Sequence, residues 1–325
     1  MTRRSLLCTP FFLLKAADPK PTLLLAIARG WRGVSAPWAN AEIHAPALEK
    51  FAREAVVFPR AYTACPQPEH ARDAILSGCY PHEASKRPTL AEALQKSFQL
   101  KTLNARSERP ADSDELRLRE NVPPEEAEAA RTNLASRYGD YSAMDAQFGK
   151  LLDTADPAKT IVVFTSDCGE QIGSHGIDGA GIFYEESVRV PLAIRIPGVR
   201  PSMSDLLISH VDLMPTLLTL CGADPVEGVQ GRDLSSLIAE GHGERRESLL
   251  SEGKLGERDE WRMLLLGVDK IVTDASGNAT HLFNLAEDPF EKTNLARDPK
   301  SELKRAQLLA MMRAERSRLL DFRRR

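Results

Sequence analysis

Cysteine is scarce in this chain, basic residues are not in excess, and no apolar stretch is long enough to cross a bilayer as a helix. The five cysteines, Cys8, Cys65, Cys79, Cys168 and Cys221, form no C-x-x-C pair and show no zinc-site spacing. That excludes a zinc module and a disulfide-built framework. Cys65 and Cys79 could pair outside the cytosol, but small buried thiols are the simpler reading. Lys and Arg number 43 against 46 Asp and Glu, for a net charge of -3, so the clustered basic footprint of a nucleic-acid binder is missing. The one basic run, Arg323-Arg324-Arg325, reads as a solvated tail. What remains is a globular composition, 42% hydrophobic and 27% charged. Its 325 residues are enough for one large domain, or one large and one small.

The first residues read as an export signal over 1–17. Arg3-Arg4 are followed by a short apolar stretch from Ser5 to Leu14 and then by Lys15-Ala16-Ala17, and Thr2-Arg3-Arg4-Ser5-Leu6-Leu7 resembles a twin-arginine signal. This implies a periplasmic or secreted protein; the competing reading is a ragged cytoplasmic start. After it, Thr22 to Ala28 is a continuous apolar run of strand length, the pattern of a strand buried on both faces of a parallel sheet. Ala55–Phe58, Leu100–Leu103, Ile161–Phe164 and Leu192–Ile196 read as further strands. Helices are expected over Pro46–Glu54, from Arg72 to Ser77 with Gly78 closing it, over Leu90–Lys96, over Pro124–Thr154 and over Val211–Cys221. Asn104 to Pro124, polar and with three prolines, reads as a loop.

Past Gly241 the pattern changes to short strands, Trp261–Leu266, Lys270–Thr273 and Thr280–Phe283, then a last helix from about Pro299 to Arg323. Strands alternating with helices, then a run of small strands, predict an α/β domain over 18–241 and a small α+β unit over 242–325.

Four segments, in order, carry a family likeness. They are Ala41-Glu42-Ile43-His44-Ala45-Pro46-Ala47-Leu48 with Arg60-Ala61-Tyr62; then Ala71-Arg72-Asp73-Ala74-Ile75-Leu76-Ser77-Gly78-Cys79-Tyr80-Pro81-His82. The third is Val163-Phe164-Thr165-Ser166-Asp167-Cys168-Gly169-Glu170 through Ser174-His175-Gly176 to Tyr184-Glu185-Glu186-Ser187-Val188-Arg189-Val190-Pro191. The fourth joins Ser209-His210-Val211-Asp212-Leu213-Met214-Pro215-Thr216 to Leu282-Phe283-Asn284-Leu285-Ala286-Glu287-Asp288-Pro289 and Thr293-Asn294-Leu295. This set resembles the sulfatases of the alkaline-phosphatase-like superfamily, with the stretch between Gly78 and Tyr138 much reduced. The resemblance implies an α/β sandwich on a central, mostly parallel sheet, a small C-terminal α+β subdomain, and sulfuric ester hydrolysis assisted by a divalent cation, usually calcium.

Several residues that this chemistry requires are replaced. The resemblance puts an Asp-Asp metal pair after the first strand, where the chain has Arg29-Gly30. It puts the nucleophile, a Cys or Ser converted to formylglycine, at Pro68, which has no nucleophilic atom. Beside Asp167 the second ligand is replaced by Cys168, a poor partner for calcium. The lysine expected before Tyr184-Glu185-Glu186 is Ala180, and a Lys-Trp-His segment after the strand near Leu103 is missing. Arg72 is retained.

These losses predict a pseudoenzyme without a bound cation, in which Arg29 and Arg72 could hold the anion of a sulfated or phosphorylated glycan or small ester. An Arg29–Asp167 salt bridge is expected to fill the old metal position, and Glu186 is expected to pair with Arg189. His175 and His210 read as structural. Two alternatives stay open: a rearranged hydrolase using Cys65 or Cys168 as nucleophile with His70 as base, and a structural partner of an active sulfatase.

Overall fold

The computed structural model describes residues 20–82, 88–112 and 116–321. The segment read as an export signal, Cys8 and the terminal arginines lie outside the described residues. In chain order the structure holds β1 (Thr22–Ala28), α1 (Pro46–Arg53), β2 (Val56–Val57), β3 (Ala61–Tyr62), α2 (Pro68–Ser77), α3 (Leu90–Leu94), β4 (Phe98–Leu103), α4 (Ala127–Leu152) and β5 (Thr160–Ser166). There follow α5 (Glu185–Val188), β6 (Arg189–Val190), β7 (Leu192–Arg195), β8 (Ser202–Met203), β9 (Ile208–Ser209), α6 (Leu213–Leu220) and α7 (Ser235–Glu240). The C-terminal part adds β10 (Ser248–Gly253), β11 (Trp261–Leu266), β12 (Asp269–Asp274), β13 (Ala279–Asn284) and α8 (Glu302–Asp321).

The central sheet has six strands in the order β4-β1-β5-β7-β2-β8. The β4–β1–β5 half is parallel, as the apolar run of β1 predicts, but β7 runs antiparallel to both β5 and β2, so the sheet is mixed. Alternation along β1 divides its side chains between two cores. Leu23, Leu25 and Ile27 join Ile161 and Val163 of β5 on one face, under α2, α3 and α6. Leu24, Ala26 and Ala28 join Val162 and Phe164 on the other, against α1 and α4. Burial on both faces is why β1 and β5 read as unbroken hydrophobic runs.

β10 to β13 form a separate antiparallel sheet. Leu250, Leu264 and Ile271 pack with Leu308 and Met312 of α8 and with Ala64, Ala74 and Tyr80 of the main body. The opposite face packs Trp261, Met263 and Val272 on Tyr62, Phe183 and Val188. β10 has no counterpart among the sequence-based strands. It lies against the segment before α2, where Glu252 N–H donates to the Ala64 carbonyl (3.0 Å).

Helix α2 begins four residues earlier than its apolar pattern suggested. Pro68 occupies its first turn, where a missing N–H costs nothing, and Gly78 closes it at φ +66°. The four described cysteines are buried and none is in a disulfide, so Cys65 and Cys79 are not joined to one another. Among the described residues no helix is long and apolar enough to cross a membrane.

Candidate functional site

The parallel register of β1 and β5 sets Ala28 beside Ser166, so Arg29-Gly30 and Asp167-Cys168 leave the sheet side by side. Two further contacts fix the pair of turns. Asp167 N–H donates to the Ala28 carbonyl (3.0 Å), and Gly169 N–H donates to the Ser187 carbonyl (2.9 Å). Gly169 admits no side chain, because a Cβ there would stand 1.9 Å from the Glu186 carbonyl oxygen. Helix α2 approaches the same place, and Arg72 on its second turn reaches the carboxylate. The site is thus built by two strand ends and the start of one helix.

Asp167 is fully buried. Its Oδ1 accepts from Gly30 N–H (3.0 Å) and Cys168 N–H (2.8 Å), and its Oδ2 faces Arg72 Nη2 at 3.7 Å. Burial pushes the carboxyl up from its ordinary value, against the downward pull of the two N–H donors and the Arg72 guanidinium. The expected Arg29–Asp167 bridge is not formed. Arg29 is exposed, its backbone N–H pairing with the Leu103 carbonyl (3.0 Å), and Arg72 holds Asp167 instead. The reason is local. The backbone pairing with β4 turns the side chain of residue 29 outward. Gly30, at φ +69°, then aims its N–H at Asp167 where a metal ligand would stand.

The residues at this place do not fit a divalent cation. One carboxylate oxygen is taken by two backbone N–H donors, the other faces a guanidinium, and the neighbouring side chain is a thiol. Hard cations take six or more oxygen ligands. The second carboxylate at this place, Glu170, lies against Gly30 but is ion-paired with Arg137, so both carboxylates already face positive groups of the chain.

The thiols are poor nucleophiles. Cys65 is fully buried and its thiol is pushed up to about 12 by burial, while burial and then Asp167 raise Cys168 well above its ordinary value. A reactive cysteine needs the opposite shift. His70, the base of that alternative reading, is exposed on α2. Pro68 stands at the first turn of α2, where the nucleophile was expected. His210 is buried and held neutral, its imidazolium pushed down to about 3 by burial.

The expected Glu186–Arg189 pair is also corrected. Glu186 Oε1 accepts from Arg119 Nε (2.5 Å) and Asn121 Nδ2 (2.9 Å), whereas Arg189 Nε donates to the Pro59 carbonyl (2.7 Å). Glu186 on the one-turn helix α5 and Arg189, three residues on at the start of β6, meet different neighbours, and the Arg189 guanidinium reaches the residue before Arg60 and β3.

Sequence reasoning missed the charged cluster behind α5. Lys270, fully buried, lies 3.1 Å from Glu185 and 2.7 Å from Glu291. Glu291 also accepts from Glu185 N–H (2.7 Å), and Tyr62 donates to Glu185 (3.0 Å). The available signal was alternation, since Lys270 shares a face of β12 with the buried Val272, a position where a lysine must find a carboxylate. His175, Glu186 and Glu291 bring ligand atoms within 4.8 Å of one another, the one such group among the described residues. Lys270 and Arg119 already supply the positive charge there, so this cluster is closed by cations of the chain itself.

The family model described as Sulfatase matches residues 102–223. A choline-sulfatase of Rhizobium meliloti (strain 1021) is 30% identical over 197 residues, covering 56% of this chain and 37% of that protein. An arylsulfatase of Clostridium perfringens (strain 13 / Type A) is 32% identical over 170 residues, covering 50% and 35%. The matched region thus spans well under half the length of these relatives. Among solved structures, a phosphonate monoester hydrolase from Silicibacter pomeroyi superimposes with a TM-score of 0.77 at 18% identity, covering 92% of this chain and 95% of that one. A 2-O GAG sulfatase does so with a TM-score of 0.76 at 19% identity, covering 94% of each. Both likenesses establish the fold.

Proposed function

We propose that this chain, similar to sulfatases over residues 102–223 and to sulfatase relatives at about 30% identity, is a sulfatase-family pseudoenzyme, which keeps the fold and one anion-facing arginine but does not hydrolyse sulfuric esters. The observation that carries this reading is the substitution at the junction of β1, β5 and α2. Pro68 stands at the nucleophile position, Asp167 Oδ1 is held by Gly30 N–H and Cys168 N–H with Arg72 facing its Oδ2, and the neighbouring Glu170 is paired with Arg137. An ester hydrolase of this kind needs a nucleophile and positive charge that meets the substrate's oxygens. Here the first is missing, and part of the second is spent on an internal carboxylate. Loss of a nucleophile alone removes several powers of ten in rate.

Arg72 keeps donors for a ligand. Its Nε is buried and makes no hydrogen bond with any described residue, and about a third of the side chain is open to solvent (29%). A sulfated or phosphorylated ester is the ligand class this guanidinium suits, because its planar donor fork matches two oxyanion oxygens. The electrostatics oppose the rearranged-cysteine alternative, since burial raises both Cys65 and Cys168. The test is hydrolysis of aryl sulfates and aryl phosphates by the purified full chain. No turnover above background is expected. Steady turnover that disappears in Arg72→Ala would overturn the proposal, because a contaminating hydrolase would not respond to that change.

A further inference from the structure

Away from the Asp167 site, a groove of about 370 Å³ opens between β3, α5 and the β11–β12 hairpin. Three arginines line it, Arg60, Arg119 and Arg189, against one acidic residue, Glu185. Glu185 is already neutralised by Lys270 and by the Tyr62 hydroxyl. Arg119 is spent on Glu186 and packs over the Phe290 ring, 4.9 Å from its centroid. Arg60 and Arg189 are different. Neither has a carboxylate at ion-pair distance among the described residues.

Each of these two is oriented by one backbone carbonyl. Arg60 Nη2 donates to Gly267 (2.6 Å) and Arg189 Nε to Pro59 (2.7 Å). A guanidinium carries five N–H donors, so each keeps most of its donor fork free while its orientation is set by the fold. Arg60 lies just before β3 and the Arg189 guanidinium reaches Pro59, the residue before it, so both side chains line the groove along this strand. Opposite them stand apolar walls, Val268, Pro289 and Phe290. The volume is within the range of small-molecule sites, and the make-up is that of one: apolar walls and a few fixed polar groups of one sign.

We propose that this groove is a second ligand site, which takes a small organic oxyanion: a sulfate or phosphate monoester whose anionic end is held by Arg60 and Arg189 and whose ring lies on the Phe290 wall. It shares no residue with the Arg72–Asp167 site and does not depend on whether that site is catalytic.

The test is titration calorimetry of the full chain with phenyl sulfate and with phenyl phosphate, using benzyl alcohol and inorganic sulfate as controls. Saturable binding of a phenyl ester is expected, weaker binding of inorganic sulfate, and none of benzyl alcohol. Arg60→Gln with Arg189→Gln should weaken it by roughly ten- to hundredfold, the usual worth of a charge-assisted hydrogen bond or two. The exposed Arg131→Gln should leave it unchanged. Should the double variant fail to fold, Val268→Glu gives an independent reading. That side chain is 45% exposed at the hairpin tip, and a carboxylate there would oppose the anion without touching the core. Absence of saturable binding in the native chain, equal binding of inorganic sulfate, or binding that survives Arg60→Gln/Arg189→Gln and Val268→Glu but is lost in Arg72→Gln would each overturn the proposal.

Discussion

Removing Arg72 should reveal how the protein keeps a buried aspartate where its relatives' pattern places a metal ligand. Asp167 is fully buried, and Arg72 Nη2 stands 3.7 Å from its Oδ2. At an effective dielectric constant of 20, two unit charges at that separation attract by about 4 kcal/mol. The arginine side chain is 29% exposed and its bond is long, so water screens part of this. The expected loss for Arg72→Met is therefore about 2–3 kcal/mol, below the 3–5 kcal/mol typical of a fully buried pair broken from one side.

Asp167→Asn should cost about 1 kcal/mol or less, because an amide oxygen can still accept from Gly30 and Cys168 N–H. The double variant should sit close to Asp167→Asn alone, giving a coupling of about 2 kcal/mol in a double-mutant cycle. Guanidinium chloride unfolding followed by circular dichroism measures all four proteins.

The pH dependence supplies a second check. Burial raises the Asp167 carboxyl in the folded state, so the folded chain binds the proton more tightly than the unfolded chain does. That contribution is present below the unfolded value and is lost as pH rises through the folded one. The deficit of Arg72→Met should thus shrink in mild acid. A loss under about 0.5 kcal/mol, the range of an ordinary surface substitution, would refute the reasoning, as would a double variant whose loss equals the sum of the singles.

Three further outcomes are expected. Millimolar calcium or magnesium should leave the melting temperature unchanged, and a rise reversed by chelator would show that a cation site survives, since a bound ion stabilises the native state by mass action. Cys65 and Cys168 should alkylate far more slowly in the native than in the unfolded protein, and mass spectrometry should find Cys65 as an unmodified thiol; fast labelling of either would contradict the upward shifts burial gives them. Lys270→Met should destabilise by about 3 kcal/mol by stranding Glu185 and Glu291. The carboxyl of Glu291 is pushed up to about 7, so stability should fall as pH rises from about 4.5 through that value, and Glu291→Gln should flatten the slope in calorimetric melting curves.

The sequence by itself determined the layers of the fold and which residue types stand at the positions the family pattern marks. Unbroken apolar runs of strand length at Thr22–Ala28 and Ile161–Phe164 read as strands with two covered faces, and their side chains do divide between two cores. Pro68 and Cys168 were equally legible, because a residue's lack of a nucleophilic or hard-oxygen atom does not depend on where it lies.

Tertiary structure decided which charges meet. Arg29 was the expected partner of Asp167, but the backbone of residue 29 pairs with the end of β4, its side chain is exposed, and α2 brings Arg72 to the carboxylate instead. Glu186 had Arg189 three residues away, yet it took Arg119 from a distant loop. Lys270, Glu185 and Glu291 come from separate stretches of chain and meet only when the C-terminal sheet docks. Apolar burial follows from periodicity along one segment. A charge pair depends on angstrom-scale placement of two side chains whose backbones are set by different parts of the fold, and no local pattern carries that information.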